Sequence, residues 1–113
     1  MDSTTQLSNA VKKAINRYAQ LKPSHGDIRL DTVFDDEQKH YALMQVGWDR
    51  GRRVRGNLIY ITLQNEKVLI EYDGMECGIA QDLIELGIVS EQIILAYQSE
   101  DSQTVAYASQ NVA

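Results

Sequence analysis

The chain has 113 residues, of which 43% are hydrophobic and 24% charged, values typical of one globular domain that exclude a disordered or collagen-like chain. Its single cysteine, Cys77, excludes an internal disulfide framework and a Cys-rich zinc site. No apolar stretch reaches the roughly 18 residues that span a bilayer, and the polar N-terminus lacks the features of a signal peptide. We therefore expect one cytoplasmic domain over residues 1–113, with an ordered core over about 6–98 and a flexible tail over 99–113.

The net charge of −5 is distributed unevenly along the chain. Residues 1–67 hold all 11 lysines and arginines against eight acids (+3), whereas residues 68–113 hold eight acids and no Lys or Arg (−8). The acidic segment would repel nucleic acid and would suit a basic protein partner, although such a bias also serves solubility. The candidate partner-binding residues are its acids Glu71, Asp73, Glu76, Asp82, Glu85 and Glu91.

The first predicted element is an amphipathic helix over about residues 6–20, which ends before Pro23 and Gly26. One apolar stripe with helical spacing carries this prediction, and it consists of Leu7, Ala10, Val11, Ala14, Ile15 and Tyr18.

Four runs then have strand character, at residues 28–34, 40–48, 54–63 and 68–72. The short turns between them favour an antiparallel meander over parallel βαβ units. In the second run, alternation places Ala42, Met44, Val46 and Trp48 on one face and Tyr41, Leu43, Gln45 and Gly47 on the other. The third run is apolar on both faces, which predicts a central strand covered on both sides.

Apolar residues from Ile79 to Leu86 predict a short second helix that ends at Gly87, with Ile88 placed for the apolar contact of a glycine cap. A turn over residues 90–92 and a short apolar run over 93–97 follow; the run could be a strand or a helix. The predicted fold class is α+β: an N-terminal helix, a four-stranded antiparallel meander, a short helix and a short final strand.

The turn between the second and third strands is rich in arginine and follows a tryptophan. The candidate nucleic-acid-binding residues are Trp48, Arg50, Arg52, Arg53 and Arg55, because guanidinium groups match phosphate oxygens. Strand alternation would place Arg53 and Arg55 on one face and Arg52 elsewhere. The alternative interpretation is a solvated hairpin tip whose charges prevent aggregation.

A loose pattern of Asp27 or Asp31 followed by Glu37 and Lys39 matches that of metal-dependent nucleases. Because Glu37 falls in a predicted turn, a solvated turn is the competing interpretation. A Cys77–His nucleophile pair has no local support in the sequence. We predict no catalytic residues, no metal site and no cofactor.

Several segments together resemble the XisI family, the cyanobacterial controlling factor for excision of the fdxN element. They include Lys22-Pro23-Ser24-His25-Gly26-Asp27, Val46-Gly47-Trp48-Asp49, Arg53-Val54-Arg55-Gly56 and Asp73-Gly74-Met75-Glu76-Cys77-Gly78, within a resemblance that covers about residues 6–98.

The resemblance implies a small, non-catalytic accessory protein that acts with an XisH-like partner beside a separate site-specific recombinase in programmed DNA excision. Direct DNA binding through the Arg50–Arg55 hairpin is the alternative, and a metal-dependent nuclease is a weaker one. A second copy of the chain is a further candidate partner, because an open meander leaves strand edges that can pair.

Overall fold

The computed structural model describes residues 3–21, 27–75 and 78–96. Residues 22–26, the candidate Glu76, Cys77 and the predicted tail over 99–113 all lie outside these ranges. The elements are α1 (Ser3–Ala19), β1 (Asp27–Asp35), β2 (His40–Asp49), β3 (Arg52–Gln64), β4 (Lys67–Asp73), α2 (Ile79–Glu85), a 3-10 turn (Ser90–Gln92) and β5 (Ile93–Leu95). No helix of the described ranges is long and apolar enough to cross a membrane.

The five strands form one sheet in the order β1-β2-β3-β4-β5. The first four pair antiparallel, as the short turns predicted, and β5 pairs parallel to β4 after the α2 crossover. A parallel neighbour needs such a crossover, which explains why a helix separates the last two strands. The predicted α+β fold class is confirmed.

Two of the hairpins close through tight turns whose central residues have positive φ. These are Arg50 and Gly51 between β2 and β3 (φ 53° and 78°), and Asn65 and Glu66 between β3 and β4 (φ 53° and 61°). Positive φ at both central residues defines the type I′ turn, whose twist matches the twist of the paired strands. Both turns were predicted at these positions.

The apolar stripe of α1 packs on the sheet as predicted. Leu7, Val11, Ala14 and Ile15 are buried, and Tyr18 is half-buried against the same core. The helix begins at Ser3, earlier than the predicted residue 6, because the polar first turn carries no apolar periodicity that could mark it.

Both helices contribute to the core against one face of the sheet, which we call the inner face. Its fully buried strand side chains are Tyr41, Leu43, Ile59, Ile61, Val68, Ile70 and Ile93. We call the opposite side the outer face. There, Tyr60 and Thr62 of β3 are only half-buried. The third strand is central as predicted, but the prediction that both of its sides are covered is wrong, because the two described helices lie on the same side.

A glycine cap ends α2. The Ile88 amide donates to the Leu83 carbonyl (3.1 Å) and the Gly87 amide to the Ile84 carbonyl (3.0 Å), with Gly87 at φ 100°. This is the Schellman pattern, and Ile88 is buried as the predicted apolar contact of the cap.

Candidate nucleic-acid interface and acidic surface

The arginine hairpin forms one end of the outer face. Trp48 pairs directly with Arg53 and Val46 with Arg55, so alternation places all four side chains on the outer face. The Arg53 guanidinium carbon lies 5.4 Å from the centroid of the Trp48 ring, a cation–π contact. The predicted sharing of one face by Arg53 and Arg55 is therefore confirmed.

The other two arginines of the hairpin project differently. Arg52 pairs with Asp49 on the opposite face, and Arg50 occupies the left-handed first position of the turn. Within residues 3–21, 27–75 and 78–96, none of the four arginines makes an ion pair. Their positive charge is therefore available to a ligand, but it is divided between both faces of the hairpin.

The candidate acids do not form one cluster. Asp73 accepts hydrogen bonds from the Met75 amide (3.0 Å) and the Ile79 amide (2.8 Å), so it satisfies the first backbone donor of α2. This is the interaction with a helix N-terminus expected of an acid in this loop. Glu71 projects to the outer face, where it accepts a hydrogen bond from the Thr62 hydroxyl (2.9 Å).

The acids of α2 connect the two helices. Arg17 of α1 makes ion pairs with Asp82 (3.1 Å) and Glu85 (3.7 Å), and the Tyr18 hydroxyl donates to Asp82. Asp82 is largely buried, with 19% of its side chain exposed, whereas Glu85 is 52% exposed. Among the described acids on this side, Glu85 and Glu91 are thus the exposed ones.

The residues of the nuclease pattern are spread along β1 and the following turn. Asp31 pairs with Arg29 (3.0 Å) and lies about 13 Å along the strand from Asp35, while Glu37 and Lys39 lie in the turn beyond it. The described residues contain no group of three or more His, Cys, Asp and Glu side chains that could hold a metal ion. The structure therefore gives the nuclease pattern no assembled site.

A polar cluster that the sequence reasoning missed lies beside α1, next to an open cavity of about 250 Å³. Asp36 accepts from Lys12 (2.7 Å) and from the Tyr41 hydroxyl (2.8 Å), and these bonds, that of Lys12 first, lower the pKa of Asp36. Burial of the Tyr41 phenol, as the main cause, and its hydrogen bond to Asp36, as the second, raise the pKa of Tyr41 to about 12. A phenol that holds its proton so firmly is a structural donor and not a base at neutral pH.

Comparisons with known proteins decide the family. The family model described as "XisI protein" matches residues 1–109. The chain belongs to the XisI family. This confirms the resemblance drawn from the sequence. A search of curated proteins gave no match.

Two solved structures show how far this relationship extends in three dimensions. A XisI-like protein from Anabaena variabilis ATCC 29413 superposes with a TM-score of 0.81 at 25% identity, covering 88% of this chain and 92% of its own. The fdxN element excision controlling factor XisI from the same organism gives a TM-score of 0.71 at 26% identity, covering 90% and 93%. The XisI fold thus accounts for nearly the whole chain.

Proposed function

We propose that this XisI-family chain is a non-catalytic cytoplasmic accessory factor that binds an XisH-like partner and so controls excision of a DNA element by a separate recombinase. Membership of the family carries the proposal, together with the likeness to a protein named as an excision controlling factor. The segregation of charge supports a protein partner, since residues 68–113 carry −8.

Among the described residues, the exposed acids near α2 support a contact with such a partner on this side. Glu85 and Glu91 are exposed, and the ion pair of Glu85 with Arg17 is long (3.7 Å), whereas Asp73 and Asp82 accept hydrogen bonds from within the fold. A contact that depends on Glu85 and Glu91 gains from long-range attraction and weakens as salt screens it.

The test is co-purification and calorimetry of the chain with an XisH-like protein at low and high salt. We expect a complex that weakens with salt and that the double variant Glu85→Gln, Glu91→Gln weakens further. The matched control is Glu37→Gln with Glu66→Gln, which removes two exposed acids from hairpin turns elsewhere. No complex at low salt would overturn the proposal.

Direct DNA binding is the second candidate, and the stacking of Arg53 on the exposed Trp48 favours it. It predicts that fluorescence anisotropy of a labelled duplex reports an affinity that falls steeply with salt and that is lost in Arg53→Ser, Arg55→Ser. The control Lys13→Ser, Lys67→Ser removes the same charge from exposed positions outside the hairpin. Equal loss in both variants, or no binding by the parent chain, would exclude this site.

A further inference from the structure

The outer face of the sheet carries several exposed large apolar side chains. Three large apolar side chains on this face are about half exposed: Trp48 (54%), Val33 (53%) and Tyr72 (47%). The outer row of β2 is apolar from Ala42 to Trp48, with Met44 and Val46 half-buried between them. A continuous apolar row of this kind indicates a contact surface.

The rows on either side of the β2 row carry opposite charges. On β1, which pairs with one side of β2, the outer row contains Asp27, Asp31 and Asp35, with Arg29 ion-paired to Asp31. On β3, which pairs with the other side, the outer row contains Arg53 and Arg55. The outer face therefore has a mainly acidic row that contains Arg29, an apolar row and a row with two arginines.

We propose that this face packs against the same face of a second copy of the chain, around a twofold axis parallel to β2. Such an axis places the β2 rows of the two copies against each other. It also places the β3 row of one copy over the β1 row of the other. Because Trp48 is paired with Arg53 on one side and with Asp27 on the other, Arg53 then faces Asp27 of the second copy. A twofold interface requires this kind of self-complementarity.

At the next register position, Arg29 and Arg55 are both paired with Val46, so Arg55 lies over Arg29 of the second copy, whose charge is already paired with Asp31. Val33 and Tyr60 are both paired in register with Ala42, so the axis brings Val33 of one copy over Tyr60 of the other. Packed sheets keep their strands within about 30° of each other, which this aligned arrangement allows. The acids of α2 lie on the helix side of the molecule, so the dimer leaves them free for the partner proposed above.

The expected dimer is weak. The contact spans the width of three strands, about 14 Å, and a length of eight residues along them, about 27 Å. Its projected area is about 400 Å². Specific interfaces bury about 800 Å² per partner, so we expect dissociation in the micromolar range.

The test is sedimentation equilibrium of the full chain at low salt, from about 1 to about 300 µM, without nucleic acid. We expect a monomer–dimer equilibrium that Met44→Glu abolishes, while Val89→Glu, a matched change at an exposed site outside the outer face, leaves it intact. Circular dichroism melts of each variant show that the fold is retained.

A charge exchange provides the decisive comparison. Arg53→Glu and Asp27→Arg should each weaken the dimer at least tenfold, and the double variant should restore it, because the exchanged pair meets again across the axis. The same double variant should not restore DNA binding, which separates this proposal from the second candidate function. A parent chain that stays monomeric throughout, or a dimer indifferent to Met44→Glu, would overturn the proposal.

Discussion

The two faces of the sheet differ in how completely they are covered. On the inner face, Leu43, Ile59 and Ile61 have no exposed surface, and α1 and α2 pack over them. On the outer face, about half of Trp48 and of Val33 is exposed. The contrast indicates that the core lies on one side of the sheet, and the proposals above assign recognition to the other side.

The largest effect should follow from a cavity on the inner face. Leu43→Ala removes a fully buried side chain, so we expect it to lower the free energy of unfolding by about 2–5 kcal/mol, measured by urea denaturation. Val33→Ala on the outer face should cost less than about 1 kcal/mol, because that side chain is already half in water. Equal losses at the two positions would contradict the proposed division between the faces.

The buried phenol of Tyr41 on the inner face should make the free energy of unfolding depend on pH in alkaline solution. The pKa of Tyr41 is raised to about 12, so the unfolded chain loses this proton near pH 10 while the folded chain keeps it. Stability should therefore fall as pH rises from about 10 to about 12, by about 2–3 kcal/mol.

The measurement for Tyr41 is the difference in unfolding free energy between the parent and Tyr41→Phe across that pH range. This difference should shrink as pH rises, because deprotonation of the phenol favours the unfolded parent and the variant has no phenol to lose a proton. Tyr72→Phe on the outer face removes an exposed phenol and is the matched control. A difference between parent and Tyr41→Phe that stays constant with pH would refute the assignment.

The contact between the helices should have a smaller effect. Asp82→Asn removes the charge that Arg17 pairs with and weakens the bond from Tyr18, so we expect a loss of about 1–2 kcal/mol in thermal or chemical unfolding. Glu85→Gln removes the more exposed partner of Arg17, whose ion-pair distance is the longer of the two. This change should alter the free energy of unfolding by less than about 0.5 kcal/mol. If Glu85→Gln lowered the free energy of unfolding more than Asp82→Asn does, burial of Asp82 would not decide which ion pair of Arg17 contributes more stability.

Local sequence signals predicted most of the fold because they act over a few residues. The Arg50-Gly51 turn and the Gly87 cap each contain a glycine, which tolerates positive φ, and both were found where predicted. Which face of β2 turns inward could not be predicted. The row that contains Met44 and Trp48 is the more apolar one, yet the row of Tyr41 and Leu43 faces the helices. That choice depends on where α1 packs, which is a property of the whole chain.

The candidate site shows the same division between local and long-range information. Strand alternation alone predicted that Arg53 and Arg55 share a face, because the side-chain period of a strand is two. The internal use of Asp82 could not be foreseen, since its partner Arg17 lies 65 residues away and no spacing rule connects them. The candidate partner-binding acids, which were chosen by charge alone, therefore included side chains that already accept hydrogen bonds within the fold.

The smallest expected effect lies at the exposed end of the outer face. Trp48→Ala removes a side chain that is half in water and a cation–π contact with Arg53, and such contacts at exposed sites contribute about 0.5–1 kcal/mol. We therefore expect a loss of no more than about 1 kcal/mol in urea denaturation, together with a clear loss of whichever contact the outer face makes, DNA or second copy. Trp48 is the only tryptophan, so unfolding of the variant is followed by circular dichroism. A loss as large as that of Leu43→Ala would mean that the outer face also holds the fold together, and its exposed residues could then not be assigned to recognition.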